Sequence, residues 1–115
     1  MAYCYRFDYR FNAMHNPNKS EHGAHPHTFG VTCELNMEES EQDRVYDAIR
    51  DYLGIYKGRN LNDIMYDTYI EDIAETLFKD IDALIKDRAK LMKLEFSDKP
   101  VQVYVIERRT ISDKE

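Results

Sequence analysis

The sequence predicts an α+β fold: four antiparallel strands with two helices packed on one face, in the order strand, strand, helix, helix, strand, strand. Three observations carry that prediction. Residues 3–15 and 25–37 alternate apolar and polar side chains with a period of two, as half-buried strands do. Residues 70–85 repeat their apolar positions with the 3.6-residue period of a helix lying on a core. Two shorter alternating runs, 92–96 and 101–107, close the chain around a turn. Helices covering one face of an antiparallel sheet make an α+β architecture.

In the first strand Tyr3, Tyr5, Phe7, Tyr9, Phe11, Ala13 and His15 share one face, alternating with Cys4, Arg6, Asp8, Arg10, Asn12 and Met14. Asn16 to Gly23 reads as a loop, marked by Asn-Pro-Asn and by glycine. His25, His27, Phe29, Val31, Cys33, Leu35 and Met37 form the apolar phase of a second strand, close enough in sequence to pair antiparallel with the first. From Ser40 to about Tyr52, the stripe Val45, Ile49, Tyr52 and Leu53 marks a first helix, followed by a break containing Gly58. Thr68 opens the second helix, where Thr68 and Glu71 have capping-box spacing. Its stripe is Ile70, Ile73, Ala74, Leu77, Phe78, Ile81, Leu84 and Ile85. Lys86, Arg88 and Lys90 stand near its end, where the helix dipole favours cations. Met92, Leu94 and Phe96 mark a third strand and Ser97-Asp98-Lys99-Pro100 a hairpin turn. Val101, Val103, Val105 and Glu107 form the inward face of a fourth strand.

A chain of 115 residues is sized for a single domain, 1–115, with a core modest enough to favour association between copies. A charged fraction of 33% against 43% hydrophobic is globular composition, not disorder. The net charge of −6 argues against a general grip on nucleic acid, which needs a basic surface. Cys4 and Cys33 read as free thiols in a reducing cytosol. The first residues hold no long apolar run, so no signal peptide is expected, and no stretch approaches eighteen apolar residues, so no membrane span is expected. These readings together point to a cytoplasmic protein.

All four histidines, His15, His22, His25 and His27, fall within thirteen residues. Residues two apart on a strand point to the same side, so His25 and His27 present a pair of imidazoles. His15 keeps the aromatic phase of the first strand. Three histidines on one side, with a fourth position left open, form the ligand set of a catalytic zinc site. His15, His25, His27 and Glu107 all stand on apolar phases at strand ends. Polar groups placed there must be hydrogen-bonded or bound to something: a metal would satisfy the histidines and an amide-like ligand Glu107. Cys33, well down the second strand, reads as a core residue, and Lys19, Lys57 and Arg59 are candidates for holding a phosphate tail.

Taken in order, these residues resemble the 6-pyruvoyltetrahydropterin and 6-carboxytetrahydropterin synthase family over nearly the whole chain. Phe11-Asn12-Ala13-Met14-His15 is similar to the family's Phe-x-Ala-x-His, and His25-Pro26-His27-Thr28-Phe29 to its His-Gly-His-Asn-Tyr. Leu61-Asn62-Asp63, Thr68-Tyr69-Ile70-Glu71-Asp72-Ile73-Ala74 and Val103-Tyr104-Val105-Ile106-Glu107 resemble its Leu-Asn-Asp, Pro-Thr-Ala-Glu-Asn-x-Ala and last strand. The resemblance implies a T-fold, zinc on His15, His25 and His27, and Thr68 and Glu107 on the substrate side, with Glu107 anchoring a pterin ring. It also implies a homo-oligomer, trimer or hexamer, with sites between subunits. Departures are equally specific. The family's catalytic cysteine has no counterpart in Lys19-Ser20-Glu21-His22-Gly23-Ala24, and Lys57 and Gly58 occupy the place of its Asp-His pair. Pro26 replaces the middle glycine of His-Gly-His. A branch of the family with glutamate in place of the cysteine makes Glu21 the candidate base, with His22 beside it as a loop histidine able to move a proton near neutral pH.

The function so implied is a zinc-dependent lyase acting on 7,8-dihydroneopterin triphosphate or a related dihydropterin. Two alternatives stand beside it. One is side-chain cleavage of dihydroneopterin as in the folate branch, with Glu21 as base. The other is a zinc- and pterin-binding protein of the same fold with little catalysis.

Overall fold

A computed structural model of the chain describes residues 2–19, 23–99 and 101–108. Strands β1 (Ala2–His15) and β2 (His25–Glu38) are followed by helices α1 (Gln42–Gly54) and α2 (Ile70–Ile85). Strands β3 (Ala89–Lys99) and β4 (Gln102–Glu107) complete the chain. Short 3-10 turns, Glu39–Glu41 and Leu61–Asp63, precede the two helices. The four strands form one antiparallel sheet in the order β1-β2-β3-β4. The expected α+β arrangement is thus the observed one.

The period-two pattern explains why β1 and β2 run so long. Directly opposed residues share a face, and the pairing sets Phe11 opposite Phe29, Ala13 opposite His27 and His15 opposite His25. Phe11, Phe29, Val31, Cys33, Leu35 and Met37 are buried beneath the helices. From α1 the core receives Val45, Ile49 and Leu53, and from α2 Ile73, Ala74, Leu77, Ile81 and Ile85. A hydrogen bond from the Tyr52 hydroxyl of α1 to the Asp80 carboxylate of α2, 2.6 Å, ties the helices together at their rim. Burial pushes the Cys33 thiol up to about 12, so it is an inert core group, as its phase suggested.

Four details differ from the sequence reading. Helix α2 starts at Ile70 with Tyr69 at its N-cap and no side-chain cap bond, so Thr68 and Glu71 do not form a capping box. In β3, Leu91 rather than Met92 enters the core, because a bulge opposite Glu34 and Leu35 inserts one extra residue. The β3–β4 turn lies later than Ser97, since Lys99 still pairs with Gln102. Lastly, the face of β4 is inverted. Extending the pairing from Lys99 and Gln102 would set Phe96 opposite Val105; an irregularity between Phe96 and Lys99 sets it opposite Tyr104 instead. A one-residue slip exchanges the faces of a strand. Tyr104 and Ile106 therefore pack on the core, while Val103, Val105 and Glu107 are exposed on the other side.

The outer edge of β1 near His15 is covered. The backbone N–H of Met14 donates to Arg59 (2.8 Å), and that of Gly58 donates to Asn12 (2.6 Å). Gly58 sits at φ +73°, a left-handed turn that glycine adopts without a side-chain penalty and that swings the chain after α1 against β1. This contact delivers the 3-10 turn Leu61–Asp63 to the end of the sheet where the histidines stand.

Candidate metal centre

His15 and His25 face each other across the β1–β2 ladder, and His27 follows on the same face two residues on. The residue opposite His27 is Ala13, whose small side chain leaves room for the ring. The three imidazoles form a nearly equilateral, mutually edge-on cluster. Ring centroids are 4.8 Å apart for His15–His25, 4.9 Å for His15–His27 and 4.8 Å for His25–His27. One nitrogen from each lies within 4.8 Å of the others, so the group could hold a metal ion. His15 is buried, His27 half-buried and His25 exposed, so the cluster is graded from the core to the surface.

The donor set fits a metal on an observation of its own. His15 Nδ1 lies 2.8 Å from the backbone carbonyl of Thr68, which can only accept, so Nδ1 carries the proton. In the neutral ring Nε2 is then a lone pair. That atom is buried and has no hydrogen-bond partner, the one such side-chain atom among the described residues. A buried acceptor left bare costs about 1–3 kcal/mol; a metal ion would satisfy it. Burial holds the His15 pKa below the ordinary histidine value; the Thr68 hydrogen bond opposes this shift, while His27 and His25 add to it. The ring is thus kept in the neutral, ligating form. A ligating histidine oriented through its other nitrogen by a carbonyl is the usual arrangement around bound metals.

Asn62 fixes this arrangement. Its side-chain oxygen accepts from the backbone N–H of Asn16 (2.7 Å) and from the Thr68 hydroxyl (3.0 Å), and its amide nitrogen donates to the Asn16 carbonyl (3.0 Å). One amide thus joins the residue after His15 to the residue that orients His15. Replacing Asn62 by Ala is expected to lower metal affinity by about 10–100-fold, the usual cost of losing an outer partner of a ligand. Asp at this position keeps both acceptor contacts and loses only the donation, so it should fall between. Zinc competition titrations read the effect, and unchanged affinity in the Ala variant would rule it out.

Other expected site residues fall elsewhere. Thr68 is fully buried with its hydroxyl committed to Asn62, so it holds the frame of the site and presents nothing to a substrate. Glu107 is exposed on the opposite face and stands level with Lys93, which pairs with Glu34. Glu34 is seven residues along β2 from His27, or about 23 Å at ~3.3 Å per residue. Within one chain the structure does not bring Glu107 to the histidines. Glu21 and His22 lie outside the described residues. Lys19 pairs with Asp67 at 3.7 Å and lies over the Tyr66 ring, while Lys57 and Arg59 are exposed on the covering loop.

One acidic residue escaped the sequence reading. Asp98 Oδ2 lies 3.9 Å from His27 Nε2, and its side chain is only 14% exposed. Assigning Ser97–Pro100 to a turn hid it. The signal was available, because Asp98 continues the phase of Leu94 and Phe96, both buried.

A ββααββ sheet carrying three convergent histidines at the end of its first hairpin defines a T-fold protein with a candidate metal centre. Among solved structures, the chain is similar to 6-pyruvoyl tetrahydropterin synthase of Caenorhabditis elegans, with a TM-score of 0.75 at 13% identity, over 95% of this chain and 97% of that one. An uncharacterized protein of Wolinella succinogenes is similar with a TM-score of 0.66 at 11% identity, over 95% and 99% of the two chains. No family model matches the chain, and no curated protein matches its sequence. At these identities the likeness shows the fold. Among the described residues no helix is long and apolar enough to cross a membrane.

Proposed function

We propose that the chain is a zinc-dependent pterin-processing lyase, acting on 7,8-dihydroneopterin triphosphate or a related dihydropterin. The observation that carries this reading is the buried, partnerless Nε2 of His15 inside a ring of three histidines, on the fold of a tetrahydropterin synthase. His15, His25 and His27 would hold the ion, with His15 fixed through Thr68 and Asn62. Zinc bound there supplies Lewis acidity to the hydroxyls of a substrate side chain and eases proton loss from the adjacent carbons. His25 is the exposed member of the cluster, so a small molecule would approach the ion from its side.

The base must be something other than a thiol. Cys33 is locked in the core with its thiol pushed up to about 12, and Cys4 sits at the far end of β1. Glu21, four positions before His25, takes this role in the proposal. Because Glu107 is remote from the histidines of its own chain, any part it plays in holding a pterin ring needs a site completed by another copy. That accords with the homo-oligomer implied by the resemblance.

The test is incubation of zinc-loaded protein with dihydroneopterin triphosphate and identification of products. Loss of the triphosphate group marks a synthase-type reaction, and side-chain cleavage without it marks the alternative with Glu21 as base. Binding with no turnover at all would overturn the enzymatic reading in favour of a pterin-binding protein. Glu21→Gln is expected to lower turnover by at least ~10²-fold while zinc content stays unchanged. Full activity in that variant would exclude Glu21 and leave His22 as the next group to replace.

A further inference from the structure

We propose that Asp98 is a fourth, displaceable ligand of the metal held by His15, His25 and His27; this rests on the metal reading above. Three observations support it. Asp98 Oδ2 and His27 Nε2 are 3.9 Å apart, beyond the ~2.7–3.2 Å of a hydrogen bond. Two metal–ligand bonds of about 2.0–2.1 Å meeting at a tetrahedral ion hold their donor atoms ~3.4 Å apart, so a shift of roughly half an ångström completes the contact. The histidine nitrogens, within 4.8 Å of one another, must close by up to ~1.4 Å to reach the same ~3.4 Å spacing.

The second observation is charge and burial. Asp98 is the carboxylate that the described residues place against the triad, and its side chain is 14% exposed. A charge so far removed from water needs a partner, and a neutral His27 ring at 3.9 Å is a weak one. Three neutral imidazoles leave both charges of a divalent ion uncompensated in a half-buried site. One carboxylate removes half of that excess.

The third is backbone design. Asp98 lies in the irregular stretch between Phe96 and Lys99, where β3 departs from regular pairing with β4. Bulges of this kind re-aim a side chain beside a site. Phe96 stacks on Phe29 at 5.4 Å, and Asp98 is next on the same face as His27 is next to Phe29. Asp98 stands at the end of a hairpin, not within the paired body of the sheet, so it can swing away when a substrate oxygen takes its place. The centre would then rest closed and open on binding.

Zinc affinity of the wild type, Asp98→Ala and the near-isosteric Asp98→Asn, measured by chelator competition, tests the first half. Both variants should bind at least ~10-fold more weakly, with the metal-free proteins checked for native circular dichroism. The cobalt(II) forms test displacement with acetohydroxamate as probe. The Asp98→Ala spectrum should respond at a concentration at least ~10-fold lower than the wild type, because no carboxylate has to leave. Equal zinc affinity in all three proteins overturns the proposal. Weaker zinc binding with an unchanged hydroxamate response also overturns it and assigns Asp98 to orienting His27. A wild type that takes up neither metal overturns the metal reading itself.

Discussion

Replacing His27 by alanine is expected to strip the protein of stoichiometric zinc while leaving the sheet folded. Apparent zinc binding energies of about 10–16 kcal/mol in four-ligand sites correspond to roughly 3 kcal/mol per ligand, or ~10²-fold in affinity. Dialysis against a moderate chelator should therefore empty the variant and not the wild type. The fold should tolerate the change because His27 is half-buried at the mouth of the hairpin and faces only Ala13 across the ladder. Circular dichroism and a thermal melt of the metal-free forms provide the control. His15→Ala is the less clean experiment, since that ring is 2% exposed, packs edge-on against Phe29 and bonds to Thr68. If the His27 variant retains one zinc per chain, the ion does not sit among these three histidines.

How far the sequence revealed this site follows from how local each determinant is. The histidine face of β1 and β2 depends only on a period of two held over thirteen-residue runs, and nothing in the pairing disturbs that phase before His15 or after His25. The stripe on α2 is equally local. The inward face of β4 was not legible, because it depends on a one-residue irregularity in its partner strand, and valines at 101, 103 and 105 suit either side of a sheet. Thr68 has the residue type and spacing of a cap, yet its hydroxyl is drawn to Asn62, six residues before it and outside the helix. Asn62 itself is an unremarkable polar residue in sequence. Its role exists only once Gly58 and Arg59 have brought the turn against β1. The ligands were thus readable from periodicity, whereas the groups that orient them come from loops that tertiary contacts bring together.

Phe29 is where core and site meet, and its truncation is expected to damage both. The ring is fully buried, stacks on Phe96 at 5.4 Å with planes 10° apart, and lies 5.6 Å from Phe11. On its other side His15 stands edge-on at 5.3 Å and His27 at 5.8 Å. Phe29→Ala should cost about 3–5 kcal/mol, the usual range for emptying a buried aromatic site. That is a large part of the roughly 5–15 kcal/mol that stabilises a small protein. The cavity would open directly beside two ligands, whose rings then lose the wall that holds them edge-on to each other. Leu77→Ala supplies the comparison. Leu77 is equally buried but on α2, and its loss should cost about 2–5 kcal/mol. Urea unfolding of the metal-free proteins should therefore show comparable destabilisation for the two variants. Zinc affinity at low denaturant should fall about tenfold or more only for Phe29→Ala, since an outer partner of a ligand is worth roughly that much. Excess zinc stabilises any form that binds it when folded, so it should restore the midpoint of Leu77→Ala by more than that of Phe29→Ala. Equal zinc affinities in the two variants would mean that the hydrogen bonds through Thr68 and Asn62 orient the ligands without the ring.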